Sequence, residues 1–134
     1  LQTVAGEQAW CVVVPHHARA ASLARRRLAA DLADLDAELV DTARAVVSEL
    51  VGNAVQHARP LPGGVVLVSW RIEEDVLRVR VTDGGGPGVP RLQKVGPDAL
   101  RGRGLSIVAS LAHRWGVAPH GIGTCVWAEL RRVG

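Results

Sequence analysis

The chain has 134 residues, 48% of them apolar, and a formal net charge of +3. That is enough for one domain with a real core, and too apolar for a disordered chain. No apolar run approaches the roughly 18 residues that span a bilayer, and no signal-peptide pattern opens the chain, so a cytoplasmic protein with no membrane contact is expected.

Gln8 to Val14 is a β-rich run ended by Pro15, and reads as the first strand. Ala18 to Leu35 reads as a helix with an apolar stripe through Leu28, Leu32 and Leu35. Arg25, Arg26 and Arg27 form the one basic run. They are read as its solvated face, opposite a buried side made by Leu23, Leu28 and Leu32, and not as a nucleic-acid contact. Asp36 is placed to cap a second helix that runs to about Ala58, where Arg59-Pro60-Leu61-Pro62-Gly63-Gly64 breaks it. Val65 to Ile72 and Val76 to Thr82 alternate in the period of strands and flank the polar turn Glu73-Glu74-Asp75, so they should pair as a hairpin. Asp83 to Pro90 is too glycine-rich for regular structure, and Arg91 to Arg101 reads as a mobile loop. A third helix is expected over Arg103 to Trp115, with Leu105, Ile107, Val108 and Leu111 as its apolar face. A turn over Ala118 to Gly123 and a last strand over Thr124 to Arg131 complete the chain.

Helices early and strands late favour a mixed, mostly antiparallel sheet with helices on one face, in a single domain spanning residues 1–134. Cys11 and Cys125 lie far apart in strand-like settings and read as free buried thiols in a reducing compartment. The four tryptophans, the chain's only aromatics, are assigned to packing.

Three stretches carry chemistry. In Val46 to Ala58, Val47, Leu50, Val51, Ala54 and Val55 cover one face of the helix, while Glu49, Asn53 and His57 recur at i, i+4 and i+8 as a polar strip. The bland reading is an exposed helix face. The sharper one is a carboxamide that holds a hydrated cation and a carboxylate one turn away, free to take a proton. Asp83, at a strand end before a run of glycines, can accept a hydrogen bond from an exocyclic amine, one way to select adenine. Gly85 lets a ring approach the backbone. Gly102-Arg103-Gly104-Leu105 opens an apolar helix whose first N–H groups and dipole suit phosphate oxygens. It lacks the Gly-Lys-Ser/Thr of a Walker A loop, and no strand leads into it as in a dinucleotide fingerprint.

Together these stretches resemble the GHKL superfamily of histidine kinase-like ATPases. Glu49-x-x-x-Asn53 is similar to its N box, Asp83-x-Gly85 to its first glycine box, Gly102-x-Gly104-Leu105-x-Ile107-Val108 to its second, and Gly123-Thr124 to its terminal Gly-Thr. The resemblance implies the Bergerat fold, an α/β two-layer sandwich that binds ATP and Mg2+ under a lid. Carried over, it implies that Asn53 ligates magnesium, that His57 closes the strip beside the nucleotide, and that Asp83 takes the adenine amine with Gly85 and Thr124 nearby. It also implies that Gly102, Arg103, Gly104 and Leu105 contact phosphate and that Gly88 to Arg101 forms the lid; Arg101 and Arg103, as charge-assisted donors, are expected to meet the terminal phosphate. Pro87 stands where the first box usually has its second glycine, with Gly88 one residue later, which alters the start of the lid.

Within the superfamily, Ser48 to His57 (SELVGNAVQH) and Arg114-Trp115-Gly116-Val117 most resemble the bacterial anti-sigma factor serine kinases. Such kinases bind a sigma factor and phosphorylate a serine on an anti-sigma factor antagonist, and many dimerise. On this reading Glu49 is the general base. Two other readings are the catalytic domain of a sensor histidine kinase and an ATP-binding module that holds a sigma factor without phosphorylating anything. Residue 49 separates the first of these, because such kinases usually carry Asn there, whereas a serine hydroxyl benefits from an adjacent base.

Overall fold

The computed structural model describes residues 2–4, 7–86, 94–95, 106–121 and 123–131. Seven strands form one sheet: β1 (Gln2–Val4), β2 (Glu7–Pro15), β3 (Val65–Glu73), β4 (Val76–Asp83), β5 (Lys94–Val95), β6 (Arg114–His120) and β7 (Gly123–Arg131). Their order across the sheet is β1-β2-β3-β4-β7-β6-β5. As expected of a mostly antiparallel sheet, every described pairing is antiparallel. Among the described residues three helices, α1 (Ala20–Asp31), α2 (Ala37–His57) and α3 (Ser106–Leu111), form the second layer.

Alternation explains how the layers meet. Along β3, Val66, Val68, Trp70 and Ile72 are buried while their neighbours are half-exposed, and on β4 Leu77, Val79 and Val81 continue the same face. The cross-strand pairs Trp10↔Trp70, Val12↔Val68, Val68↔Val81 and Val81↔Val126 keep that face apolar across β2, β3, β4 and β7. Against it α2 packs Val46, Val47, Leu50, Val51 and Ala54, and α1 packs Ala24 and Leu28. Each fully buried Leu or Val contributes about 1.5–3 kcal/mol relative to exposure. Trp70 ties the layers by donating from Nε1 to Asp31 Oδ2 at 3.2 Å.

The boundaries of α2 follow from its ends. Asp36 caps it, accepting from Leu39 N at 3.2 Å, and Ala58 leaves in an extended conformation before Pro60. The basic run behaves as a helix face: Arg26 and Arg27 are exposed, and Arg25 Nη1 donates to Ser48 Oγ at 2.8 Å, joining α1 to α2. Leu23, however, is 37% exposed and does not share the buried side of Leu28 and Leu32. The tryptophans do pack: Trp70 and Trp127 are buried, and Trp10 and Trp115 lie partly buried against the core.

Three expectations need correction. The third helix stops at Leu111, and Arg114 to His120 is a strand paired with β7 in place of a helix end and a turn. The cause is tertiary: His113 N donates to Glu129 O at 2.8 Å, and β7 captures the chain from there. Within α3 only Val108 is buried, whereas Ile107 and Leu111 are 47% and 41% exposed. Finally, both cysteines fall on the face opposite the helices, where Cys125 on the inner strand β7 is buried but Cys11 on β2 is exposed; both thiols are free.

Candidate functional site

The site lies where β4 ends. Asp83 is fully buried and pairs directly with Thr124 on β7, also fully buried. Alternation puts both side chains on the face of Val81 and Val126, toward α2. A carboxylate removed from water costs several kcal/mol unless it is hydrogen-bonded. Here Gly85 N donates to Asp83 Oδ1 at 2.8 Å. Gly85 itself stands at φ +91°, a left-handed conformation that a Cβ disfavours. Thr124 Oγ1 is buried without a hydrogen-bond partner among the described residues.

Two further glycines seat this corner: Gly123, which the sequence offered as part of the Gly-Thr motif, and Gly84, which it did not single out. A Cβ on Gly123 would stand 2.0 Å from Asp83 O, and one on Gly84 would stand 2.2 Å from Pro60 O. Gly84 N donates to Arg59 O at 2.7 Å, and Arg59 N donates back to Gly85 O at 2.8 Å. The segment after α2 is thus fastened to the glycine turn. On its other side, His16 Nε2 donates to Ala58 O at 2.8 Å. The only sequence signals of this clamp were the glycine run itself and the Arg59-Pro60 break.

The polar strip of α2 runs toward that corner. Asn53 is buried at 7% exposure, so the bland reading of an exposed helix face fails at the residue that matters most. Glu49, one turn earlier, is half-exposed, and His57, one turn later, is exposed. Glu49 therefore keeps access to solvent while Asn53 does not. Gly88, Arg101, Gly102, Arg103, Gly104 and Leu105 lie outside the described residues, as does Pro87. Of the expected lid, only Lys94–Val95 is described, as β5 pairing with Val117 and Gly116 of β6.

The donor set fits a nucleotide. A buried carboxylate and an unsatisfied buried hydroxyl stand side by side, where glycines keep the backbone free of side chains. Such a pair suits a flat ring bearing an exocyclic amine. Among the described residues no group of three His, Cys, Asp or Glu side chains converges on one point. A lone carboxamide oxygen such as that of Asn53 suits Mg2+, which keeps several waters and takes its other ligands from substrate phosphates. No helix among the described residues is long and apolar enough to cross a membrane.

A two-layer sandwich with an aspartate-glycine corner at a sheet end defines an ATP-binding domain of the ATPase–kinase type. Residues 13–130 match the family model described as "Histidine kinase-like ATPase domain", and the chain belongs to that family. The family includes anti-sigma factor kinases. A search among curated proteins finds no match to the chain.

Proposed function

We propose that this domain is an anti-sigma factor serine kinase: it binds ATP with magnesium, binds a sigma factor, and phosphorylates a serine on an anti-sigma factor antagonist. The observation that carries the reading is Glu49, half-exposed on α2 one turn before the buried Asn53. Four residues at 1.5 Å each separate them by about 6 Å along the helix axis. Asn53 would hold the metal, and Asp83, Gly85 and Thr124 would hold adenine. Bound ATP and magnesium would supply the phosphoryl group and neutralise its charge. Glu49 would accept the proton of the incoming serine hydroxyl and orient its oxygen, the help that a weak nucleophile needs. A histidine acceptor would need no such base, so this carboxylate favours a hydroxyl.

The test is Glu49→Gln, which keeps shape and hydrogen-bonding reach but cannot take a proton. Loss of a general base typically costs about 10²–10⁴ in rate. Radiolabelled ATP with candidate antagonists should show phosphoserine with the wild type and a loss of that order in the variant, while calorimetry shows unchanged ATP affinity. Transfer at nearly the wild-type rate would remove Glu49 as the base. A wild-type protein that binds a sigma factor but labels no antagonist would replace the kinase reading with the binding module.

A further inference from the structure

The face of the sheet opposite the helices carries a second site. On β4, Arg78 and Arg80 point outward, beside Trp127 and Glu129 on β7 and Arg114 on β6; the register pairs are Arg80↔Trp127, Arg78↔Glu129 and Arg114↔Glu129. Glu129 is only 5% exposed and accepts from Arg78 through Nε and Nη2, and from Arg114 Nη1 at 3.5 Å. Both guanidiniums also lie over the Trp127 ring, 5.8 and 5.7 Å from its centroid. Arg80 is exposed and forms no ion pair among the described residues. Arg78 and Arg114 thus meet Glu129, and at the other end of the face Arg71 pairs with Glu73 beside Glu74, so among the described residues the surplus positive charge of this face sits at Arg80.

These arginines line a recess of about 280 Å³ together with His120, Pro119 and Cys125, and no carboxylate lines it. Arg80 also borders a second recess of about 370 Å³, with Ala9, Cys11 and Ser69. On the same side of β2, Cys11 is exposed and Val13 is 58% exposed. A basic pocket therefore adjoins an apolar margin, with Arg80 between them. Because Glu129 and Trp127 already hold Arg78 and Arg114, these side chains lose little freedom when they bind an anion, and the guanidinium fork matches a carboxylate.

We propose that this face docks an acidic segment of a partner protein, a carboxylate entering the recess beside Arg80 and an apolar side chain lying toward Cys11 and Val13. Nucleic acid fits less well. Trp127 is buried beneath the arginines and offers no open ring to a base, and Glu73 and Glu74 border the other end of the face, so phosphates find no continuous basic track. A second copy would bring the same surplus of positive charge against itself across a two-fold axis. The inference does not rest on the kinase reading, since Asp83 and Glu49 belong to the other side of the sheet.

The test is fluorescence anisotropy with labelled octaglutamate at low salt, using the 134-residue chain. Wild type should bind it saturably. Arg80→Glu should weaken binding about tenfold or more, equivalent to about 1.4 kcal/mol, and Arg80→Gln by less. Arg44→Glu makes the same charge change at an exposed position of α2 and should have little effect. Absence of saturable binding overturns the proposal, as does equal weakening by the Arg80 and Arg44 variants. Equal or tighter binding of labelled octathymidylate would make the face a general polyanion surface instead. A wild-type dimer that Arg80→Glu converts to monomer would assign the face to a second copy.

Discussion

Thr124→Val separates the stability of the domain from its affinity for nucleotide, and moves them in opposite directions. The hydroxyl of Thr124 is fully buried and has no partner among the described residues. A buried polar atom left unsatisfied costs about 1–3 kcal/mol. Valine replaces that hydroxyl with a methyl group of nearly the same shape and suits a strand. The nucleotide-free protein should gain about 1 kcal/mol, which raises Tm by roughly 3–5 °C for a domain of this size. If Thr124 meets the bound base, the variant also loses a hydrogen bond worth about 0.5–1.5 kcal/mol, a Kd roughly 2–12 times higher. At ATP about 100 times the wild-type Kd, ligand stabilises wild type by about 2.7 kcal/mol. A fivefold loss of affinity lowers that to about 1.8 kcal/mol by the same relation. The two proteins should therefore differ in Tm without nucleotide and nearly coincide with it. Scanning fluorimetry with and without magnesium ATP, backed by calorimetry, reads both quantities. A variant less stable without nucleotide would show that the hydroxyl is already satisfied. One that keeps full ATP affinity would remove Thr124 from the pocket.

Gly123→Ala puts a Cβ 2.0 Å from Asp83 O; forcing β7 away from β4 there should cost about 1–3 kcal/mol, visible as a lower Tm, and weaken nucleotide binding with it. Asp83→Asn should lose preference for ATP over GTP, because an amide offers a donor toward the amine as readily as an acceptor; calorimetry showing unchanged ATP affinity would refute the assignment. Asp36→Ala removes the cap that accepts from Leu39 N and should cost about 1 kcal/mol in chemical denaturation, with ATP affinity unchanged.

What could be read from the sequence was what local chemistry decides. The start and stop of α2 follow from a capping aspartate and a proline break, and the β3–β4 hairpin follows from strict alternation on either side of a polar turn. Strand β6, Arg-Trp-Gly-Val-Ala-Pro-His, carries no such signal, and its first residues continue the helical pattern of α3. It is a strand because β7 pairs with it along its whole length. Its proline is tolerated because Pro119 lies beyond Gly116 and Val117, where β5 pairs, so no described strand calls on its missing N–H from that side.

The site divides along the same line. Asp83 and the strip from Glu49 to His57 could be named because their chemistry is written in side chains. Gly85 and Gly123 could be picked out by motif, but not the physical constraint that each one meets, and Gly84 carried no signal of its own. At Gly85 the constraint is the backbone itself, which stands at φ +91° where the chain turns away from Asp83. At Gly84 and Gly123 the constraint is room, since a Cβ would meet the carbonyl oxygens of Pro60 and Asp83. Those carbonyls arrive from the end of α2 and from the neighbouring strand, distances that only the folded chain defines. The same folding buries the Thr124 hydroxyl without a partner among the described residues, and that hydroxyl is the feature of the corner that most directly calls for a ligand.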